Sequence, residues 1–370
     1  MHMLSRVSRV SAILICCCWV VTGFSAKKAA PRIPLHLDLS WSSGYDDNIF
    51  RLSQRDINRF ESGTEGFPNP NSTWDDWRND FGITLTLPWK HANGWETRLE
   101  GSAKAALYAT NHRKNYQRYA ASLRQSFGKL WWIEGSFSVV PSYYLREYLD
   151  RDLGIRTGCD YDSRSYEAKV RYRSPWRTYL YPFYEFQTLY YNRYFTEFDA
   201  EWSTFGLAVD QIISRHWQVS GSYRFTDGKN VGGGGPTAAS LVDPFNDTEY
   251  GDGDFRESEI RASLKYEPRK IYHRKWEFSL SGRMRLRDYT TNNSMEIDPF
   301  HADRKDTRWE ISPRITVNLI QNLTGYVDFL YEQRTTDSPI GYVREFKDFV
   351  RRTYFIGLEY QLLPPPRRRR

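Results

Sequence analysis

The run WEFSLSGRMRLRDY, residues 276–289, alternates between apolar and polar side chains from Trp276 to Arg287. Every second residue from Trp276 to Leu286 is apolar or glycine, and the residues between them include Arg283, Arg285 and Arg287. Successive side chains of a β-strand point to opposite faces, so the pattern predicts a strand with one apolar and one basic face. A barrel in a lipid bilayer uses both faces, because lipid surrounds it and its interior is polar.

The same alternation recurs along the chain and predicts about 14 strands. They are residues 34–43, 79–88, 95–108, 116–127, 131–144, 165–173, 178–189, 202–213, 217–226, 257–267, 275–288, 308–319, 323–332 and 352–362. An even number of strands is typical of single-chain barrels of the bacterial outer membrane. The sequence therefore predicts an all-β fold, a transmembrane antiparallel up-and-down β-barrel of about 14 strands.

The connections between these segments differ in length according to their order. Every second one is short, as in GKL, SPWR and IQN, whereas most of the others are long, with the longest at 44–78, 145–164 and 227–256. Short periplasmic turns and long external loops are typical of outer-membrane barrels. Tryptophans flank the short turns, as expected at a membrane–water interface: they are Trp89, Trp95, Trp131, Trp132, Trp176, Trp217 and Trp276.

Two prolines fall inside predicted strands. Pro182 lies in the segment 178–189, and Pro313 lies in the segment 308–319. Proline has no backbone N–H and removes one hydrogen bond from a sheet. We therefore expect a bulge or a shifted strand boundary at both positions.

The ends of the chain carry most of its net positive charge and three of its four cysteines. Arg6 and Arg9, the apolar run SAILICCCWVV and the small residues before Ala26 predict a signal peptide over residues 1–25. Residues 26–33 are then a periplasmic segment, 34–362 the barrel and 363–370 a tail of prolines and arginines. Without the leader one cysteine remains, Cys159, which excludes an internal disulfide. The formal charge of +7 falls to about +1 without Arg6, Arg9 and the four terminal arginines, so no nucleic-acid partner is expected.

The run SWSSGYDDNIFRLS, residues 40–53, carries a resemblance to a known group. It resembles the first-strand motif of outer-membrane β-barrel porins of Gram-negative bacteria that are often encoded beside exopolysaccharide export genes. In that group a Gly-Tyr-Asp-(Asp/Ser)-Asn run ends the first strand, and here it is Gly-Tyr-Asp-Asp-Asn at residues 44–48. The final segment RRTYFIGLEYQL resembles the last-strand signal read by the barrel-assembly machinery, although LPPPRRRR follows it. The resemblance implies a channel in the cell outer membrane, surrounded by lipid and lipopolysaccharide.

Basic side chains outnumber acidic ones on the predicted inner face. The basic set is Arg98, Lys104, Arg118, Arg124, Lys169, Arg171, Arg224, Arg261, Lys265, Arg283, Arg285, Arg287, Arg308 and Arg314. We single out Arg171, Arg283, Arg285, Arg287 and Arg314 as residues that line the lumen and bind solute. Rings of basic residues favour anions in pores, so polar or anionic solutes are the expected partners. The alternative is an interior filled by mutual ion pairs.

Three functions are compatible with this sequence. The first is a channel or porin for polar solutes, with anions expected, or for exopolysaccharide. The second is a structural or adhesive barrel whose external loops bind ligands, and the third is an outer-membrane enzyme, for which His112 and His301 lie in external loops. No G-x-S-x-G motif occurs, so we predict no catalytic site. The acidic run DTEYGDGD lacks the order of a calcium loop, and we predict no metal or cofactor.

Overall fold

The computed structural model describes residues 35–63, 72–150, 155–232 and 252–363, and they contain fourteen strands and two short α-helices. The strands are β1 His36–Asp46, β2 Asp76–Lys90, β3 Glu96–Tyr108, β4 Tyr116–Phe127, β5 Trp131–Asp150, β6 Ile155–Arg173, β7 Thr178–Tyr191, β8 Ala200–Ile212, β9 Trp217–Asn230, β10 Phe255–Tyr266, β11 Trp276–Tyr289, β12 Lys305–Ile320, β13 Leu323–Asp337 and β14 Phe349–Leu363. The helices are α1, Gln54–Glu61, and α2, Gly341–Lys347. Single 3₁₀ turns occur at His112–Lys114 and Thr196–Phe198.

The strands form one closed antiparallel barrel. Each strand pairs with its neighbours in sequence, and β1 also pairs with β14, which closes the sheet. Closure gives every strand a partner on both sides, and it is one of the few ways to satisfy backbone polar groups inside a membrane. The predicted fold class is confirmed, and each predicted segment corresponds to one strand.

The outer face of the barrel is apolar. On β11, Leu280 and Leu286 are 50% and 40% exposed, although both are large apolar residues. On β2, Phe81 and Ile83 are exposed in the same way. Water strongly disfavours so continuous an apolar surface, whereas lipid covers it without penalty. The chain is therefore a transmembrane β-barrel of the outer-membrane type.

No helix of the described residues is long and apolar enough to cross a membrane.

Tryptophans surround the end of the barrel that carries the short turns. Trp89, Trp176 and Trp217 are exposed on the outer face there, as expected for an interfacial belt. Trp132 is an exception because its side chain is buried and lies beside Arg124 inside the barrel. Trp131 and Trp132 are neighbours in one strand, so only one of them can face lipid.

The predicted loop over residues 145–164 is wrong. β5 continues to Asp150 and β6 begins at Ile155, so most of this stretch is strand. The register of β5 against β6 shifts between Val140 and Tyr143 and again between Tyr144 and Arg146. Each shift moves the apolar side chains to the other face, which hides the alternation from the sequence.

The expected irregularities at the two prolines are also wrong. Pro182 pairs with Leu207 of β8, and Pro313 pairs with Leu280 of β11, in both cases within an unbroken register. On the other edge of each strand, β7 pairs with β6 and β12 pairs with β13. The pairing stops at the proline and continues beyond it in the same register. The missing N–H thus interrupts hydrogen bonding locally without displacing either strand.

The predicted signal peptide over 1–25, the segment 26–33 and the tail after Leu363 lie outside the described residues. Those three predictions stay predictions.

Candidate functional site: the barrel lumen

The Gly-Tyr-Asp-Asp-Asn run joins the two ends of the barrel wall. A Cβ atom on Gly44 would collide with the backbone oxygen of Tyr354 and the ring of Phe355, so only glycine lets β1 and β14 approach so closely here. Asp46 is fully buried and accepts two hydrogen bonds from Arg351 of β14, with N···O distances of 2.9 and 2.5 Å. This paired charge lies directly at the closing seam.

Asn48 turns the chain inwards after β1. Its side-chain oxygen accepts a hydrogen bond from the Leu52 N–H at 2.8 Å. Its amide nitrogen donates to the carbonyl oxygens of Leu52 and Val350 at 2.9 and 3.0 Å. The segment from Asp47 to Gly63, which we call the inward segment, therefore begins at a fixed point on the wall.

The inward segment lies in the mouth of the barrel opposite the short turns. Asp56 of α1 is almost fully buried and lies 3.6 Å from Arg146 of β5. Arg55 forms an ion pair of 2.8 Å with Glu345 of α2, and its guanidinium stacks on the ring of Phe346. The helix α1 thus connects one side of the wall to the loop between β13 and β14.

Three arginines from different elements form ion pairs with Glu332 of β13. Its side chain is 1% exposed, and it accepts ion pairs of 3.0 Å from both Arg51 and Arg351 and a further one from Arg308. Arg51 belongs to the inward segment, so this carboxylate ties that segment to the wall. A buried carboxylate of this kind requires such pairing, because an isolated buried charge is very unfavourable.

Two further glutamates extend the ion pairs around the wall. Glu310 of β12 lies 2.7 Å from Arg285 and 3.2 Å from Arg308. Glu259 of β10 lies 2.6 Å from Arg261 and 3.8 Å from Arg224, and Arg224 in turn reaches Glu185 of β7. Together with Asp46 and Glu332, these groups form a continuous network from β7 through β14 to β1, which we call the ion-pair network.

The five predicted lumen arginines all lie on inward-facing positions, but they are not equivalent. Arg283 and Arg285 belong to the ion-pair network, 3.3 and 2.7 Å from Glu310. Arg287 pairs with Glu257 at 2.8 Å, and Arg314 pairs with Glu359 at 2.8 Å. Arg171 lies over the rings of Trp132 and Tyr179 and forms no ion pair with a described carboxylate. Four of the five are thus partly neutralised by the wall itself.

Lys104 and Arg118 belong to the predicted inner basic set but not to the five residues that the sequence singled out. They lie directly opposite each other on β3 and β4, and both are exposed within the lumen. Neither forms an ion pair with a carboxylate of the described chain, and Arg118 makes only a 3.4 Å hydrogen bond to Ser138. Their facing arrangement depends on the strand register, which the alternation pattern alone does not give.

The middle of the lumen is lined by serines and by charged side chains of both signs. A cavity of about 270 Å³ lies between Ser102, Ser122, Ser136 and Arg118, and four glutamates also line it: Glu100, Glu134, Glu167 and Glu185. A second cavity of about 270 Å³ is lined by Lys104, Arg118, Tyr116, Tyr326 and Asp80, whose carboxylate pairs with Arg78.

A third cavity, of about 530 Å³, lies against the inner face of the wall beside Arg261, Arg283 and Glu310. A fourth cavity, of about 400 Å³, lies next to the inward segment and is lined by Arg51 and Arg351. Water and polar solutes are compatible with such a lining, whereas an apolar solute is not.

The external histidines serve the packing of their own loops. His301 is buried, and its Nδ1 lies 2.9 Å from a carboxylate oxygen of Asp298. His112 lies within hydrogen-bonding distance of the carbonyl oxygen of Tyr108, at 3.0 Å. Beside it, Lys114 donates to the carbonyl oxygens of Tyr144 and Leu145, and burial lowers the pKa of its ammonium group.

The acidic external run is only partly described. Asp254 accepts a hydrogen bond from the Asn230 N–H at 2.7 Å and pairs with Lys229 at 2.8 Å. Asp247 and Glu249 lie outside the described residues. Within the described ranges, no group of three or more histidine, cysteine or acidic side chains is arranged to hold a metal ion.

Comparison with known proteins finds similar solved structures at low identity. The outer membrane channel DcaP of Acinetobacter baumannii is 10% identical, with 92% of this chain and 99% of that chain covered and a TM-score of 0.47. A bacterial polysaccharide outer membrane secretin is 11% identical, with 90% and 100% covered and a TM-score of 0.45. The NanC porin is 9% identical, with 88% and 100% covered and a TM-score of 0.35. No family model and no curated protein matches the chain.

Proposed function

We propose that this protein is an outer-membrane channel for polar solutes and that it favours anions. A closed barrel with an apolar outside and polar cavities inside supports the channel. The solved structures described as channels and porins are consistent with it.

The observation that carries the anion preference is the facing pair of Lys104 and Arg118. Like charges directly opposite each other in a sheet destabilise it. No ion pair with a described carboxylate offsets either charge, and both line the same cavity. An anionic solute supplies the missing countercharge. Arg283, Arg285, Arg287, Arg314 and Arg171 add to the basic lining but, apart from Arg171, share their charge with neighbouring glutamates.

The size of the expected effect follows from Coulomb's law. An anion about 6 Å from each of the two cations gains roughly 0.7 kcal/mol per charge in water, and salt at about 0.1 M reduces this by about half. The sum corresponds to roughly fourfold enrichment of anions and an equal depletion of cations. Removing both charges is therefore expected to lower the anion-to-cation permeability ratio by roughly tenfold.

The test is electrical recording of the purified protein in planar lipid bilayers under a KCl gradient. We expect conductance with a reversal potential that favours chloride, and a shift towards potassium in the variant Lys104→Ser/Arg118→Ser. The matched control is Arg256→Ser/Lys305→Ser, which removes two cations from the outer face. Absence of conductance would refute the channel, cation preference in the unmodified protein would refute anion selection, and equal shifts in both variants would refute the role of Lys104 and Arg118.

Within this function, two classes of anionic solute are distinguished by experiment: small anions and acidic polysaccharides. The hydroxyl groups of Ser102, Ser122 and Ser136 suit a hydrated chain of sugars, and Lys104 and Arg118 suit its carboxylates. The glutamates of the first cavity oppose such a polymer, so the test below decides between it and small anions. Added oligogalacturonate is expected to block the chloride current at a concentration where a neutral maltooligosaccharide of equal length has no effect. Equal block by both sugars, or by neither, would exclude an acidic polymer and leave small anions as the solutes.

A further inference from the structure

Six charged side chains of alternating sign form a row on the outer face of the barrel. In order around the barrel the row is Asp227 of β9, Arg256 of β10, Asp288 of β11, Lys305 of β12, Asp337 of β13 and Arg344 of α2. The first five occupy directly paired positions in the register of neighbouring strands, so they form one continuous row across five strands. We call this row the charged collar.

The collar lies at the upper edge of the apolar surface. On β9, Asp227 is ten residues from Trp217, which belongs to the aromatic belt beside the short turns. A strand rises about 3.3 Å per residue, and barrel strands tilt by about 40°, so ten residues span about 25 Å along the membrane normal. The apolar band of such barrels is about 25 Å tall. The Asp227 end of the collar therefore lies where lipid headgroups begin, on the side opposite the short turns, and the row continues from there across the neighbouring strands.

The charges of the collar are largely available to a ligand. The side chains of Arg256 and Asp227 are 67% and 40% exposed, and their closest N···O distance is 3.8 Å. Lys305 and Asp288 are 69% and 60% exposed and lie 4.0 Å apart. Exposed pairs at such distances contribute little to stability, so mutual attraction does not account for the pattern.

The surface directly below the collar faces acyl chains. Two residues below Asp288, Leu286 is exposed, and further down Ile260, Met284 and Trp309 occupy directly paired outward positions. A molecule that contacts the collar from the membrane side must therefore carry a charged head above an apolar body. A soluble anion contacts the charged collar but not the apolar face below it.

We propose that the charged collar binds phosphorylated lipid headgroups of the outer leaflet together with divalent cations. Arg256, Lys305 and Arg344 bind phosphate oxygens directly. Asp227, Asp288 and Asp337 hold divalent cations that are shared with the same phosphates, since hard cations prefer oxygen ligands. The alternation of sign places one phosphate beside each cationic side chain and one metal ion between neighbouring phosphates.

The test compares retention of lipid A by the purified protein in detergent, measured by native mass spectrometry with 1 mM magnesium and after chelation. We expect diphosphorylated lipid A to be retained, phosphatidylcholine to be lost, and chelation to weaken retention. Each cation near an anionic lipid surface contributes a factor of roughly five in affinity, so Arg256→Ser/Lys305→Ser is expected to weaken retention by roughly thirtyfold. The variant Asp227→Asn/Asp288→Asn is expected to remove the dependence on magnesium.

The matched control is Lys270→Ser/Lys275→Ser, which removes two exposed cations from the opposite end of the same part of the wall. It is expected to retain lipid A as the unmodified protein does. If Arg256→Ser/Lys305→Ser and Lys270→Ser/Lys275→Ser lose lipid A equally, the collar is not the site. Equal retention of lipid A and phosphatidylcholine, or inhibition by inorganic phosphate alone at millimolar concentration, would also overturn the proposal, since a free anion would then suffice.

Discussion

The substitution Glu332→Gln tests whether the convergence of arginines on one buried carboxylate stabilises the barrel. The carboxylate is 1% exposed and pairs with Arg51, Arg308 and Arg351. Glutamine keeps the shape of the side chain but loses the charge, and its amide group presents N–H donors to guanidinium groups that also only donate.

The expected loss follows from the partners that each arginine keeps. Arg351 retains its two hydrogen bonds to Asp46, and Arg308 retains Glu310 at 3.2 Å, whereas Arg51 has no other ion pair with a described carboxylate. Breaking a buried ion pair from one side costs about 3–5 kcal/mol. Because two of the three arginines remain paired, we expect the free energy of unfolding to fall by about 3 kcal/mol.

The assay is urea unfolding of the protein in lipid vesicles, followed by tryptophan fluorescence. The matched control is Glu359→Gln, which removes a carboxylate that pairs with Arg314 alone and is 50% exposed. An exposed pair of this kind contributes about 0–1 kcal/mol. If the two substitutions lower the free energy of unfolding equally, burial and convergence of charge at Glu332 are not what stabilises the wall.

Two further substitutions address the closing seam and the predicted lumen residues. Gly44→Ala is expected to lower the free energy of unfolding by roughly 1–3 kcal/mol, because the new Cβ collides with the backbone of β14. Gly101→Ala has open space and should change it by less than about 0.5 kcal/mol in the same urea assay, so equal effects would contradict the close approach at Gly44. Arg283→Ser/Arg285→Ser/Arg287→Ser leaves Glu257, Glu259 and Glu310 with fewer counterions, so we expect the channel to shift towards cations. An unchanged reversal potential would show that these arginines lie outside the ion path.

The strand number and the inward set of residues were predictable because both follow from local alternation. β4 keeps one register along its length and shows the period of two over Tyr116–Phe127. β5 does not, because two register shifts move its apolar side chains between faces. Sequence alternation therefore gave the lower part of β5 correctly and placed its upper part in a loop.

The partners of the lumen charges were not predictable, because they depend on neighbours that are distant in sequence. Glu332 receives Arg51 from 281 residues away. The residue at the opposite position of an adjacent strand decides whether a cation is neutralised. Arg285 lies opposite Glu259 of β10, whereas Lys104 lies opposite Arg118 of β4. The inner face as a whole could be predicted from one strand at a time, whereas its free charges could not.

The union of the first and last strands has a consequence for how the protein is made. Asp46 and Arg351 are separated by 305 positions, so the carboxylate near the start of the chain meets its partner only after nearly all of the polypeptide has been synthesised. Until that moment both outermost strands present unpaired backbone groups, which readily associate with other chains. A partly synthesised or partly exported chain therefore cannot close the barrel. Another protein must cover the unpaired edges of β1 and β14 until the two strands pair.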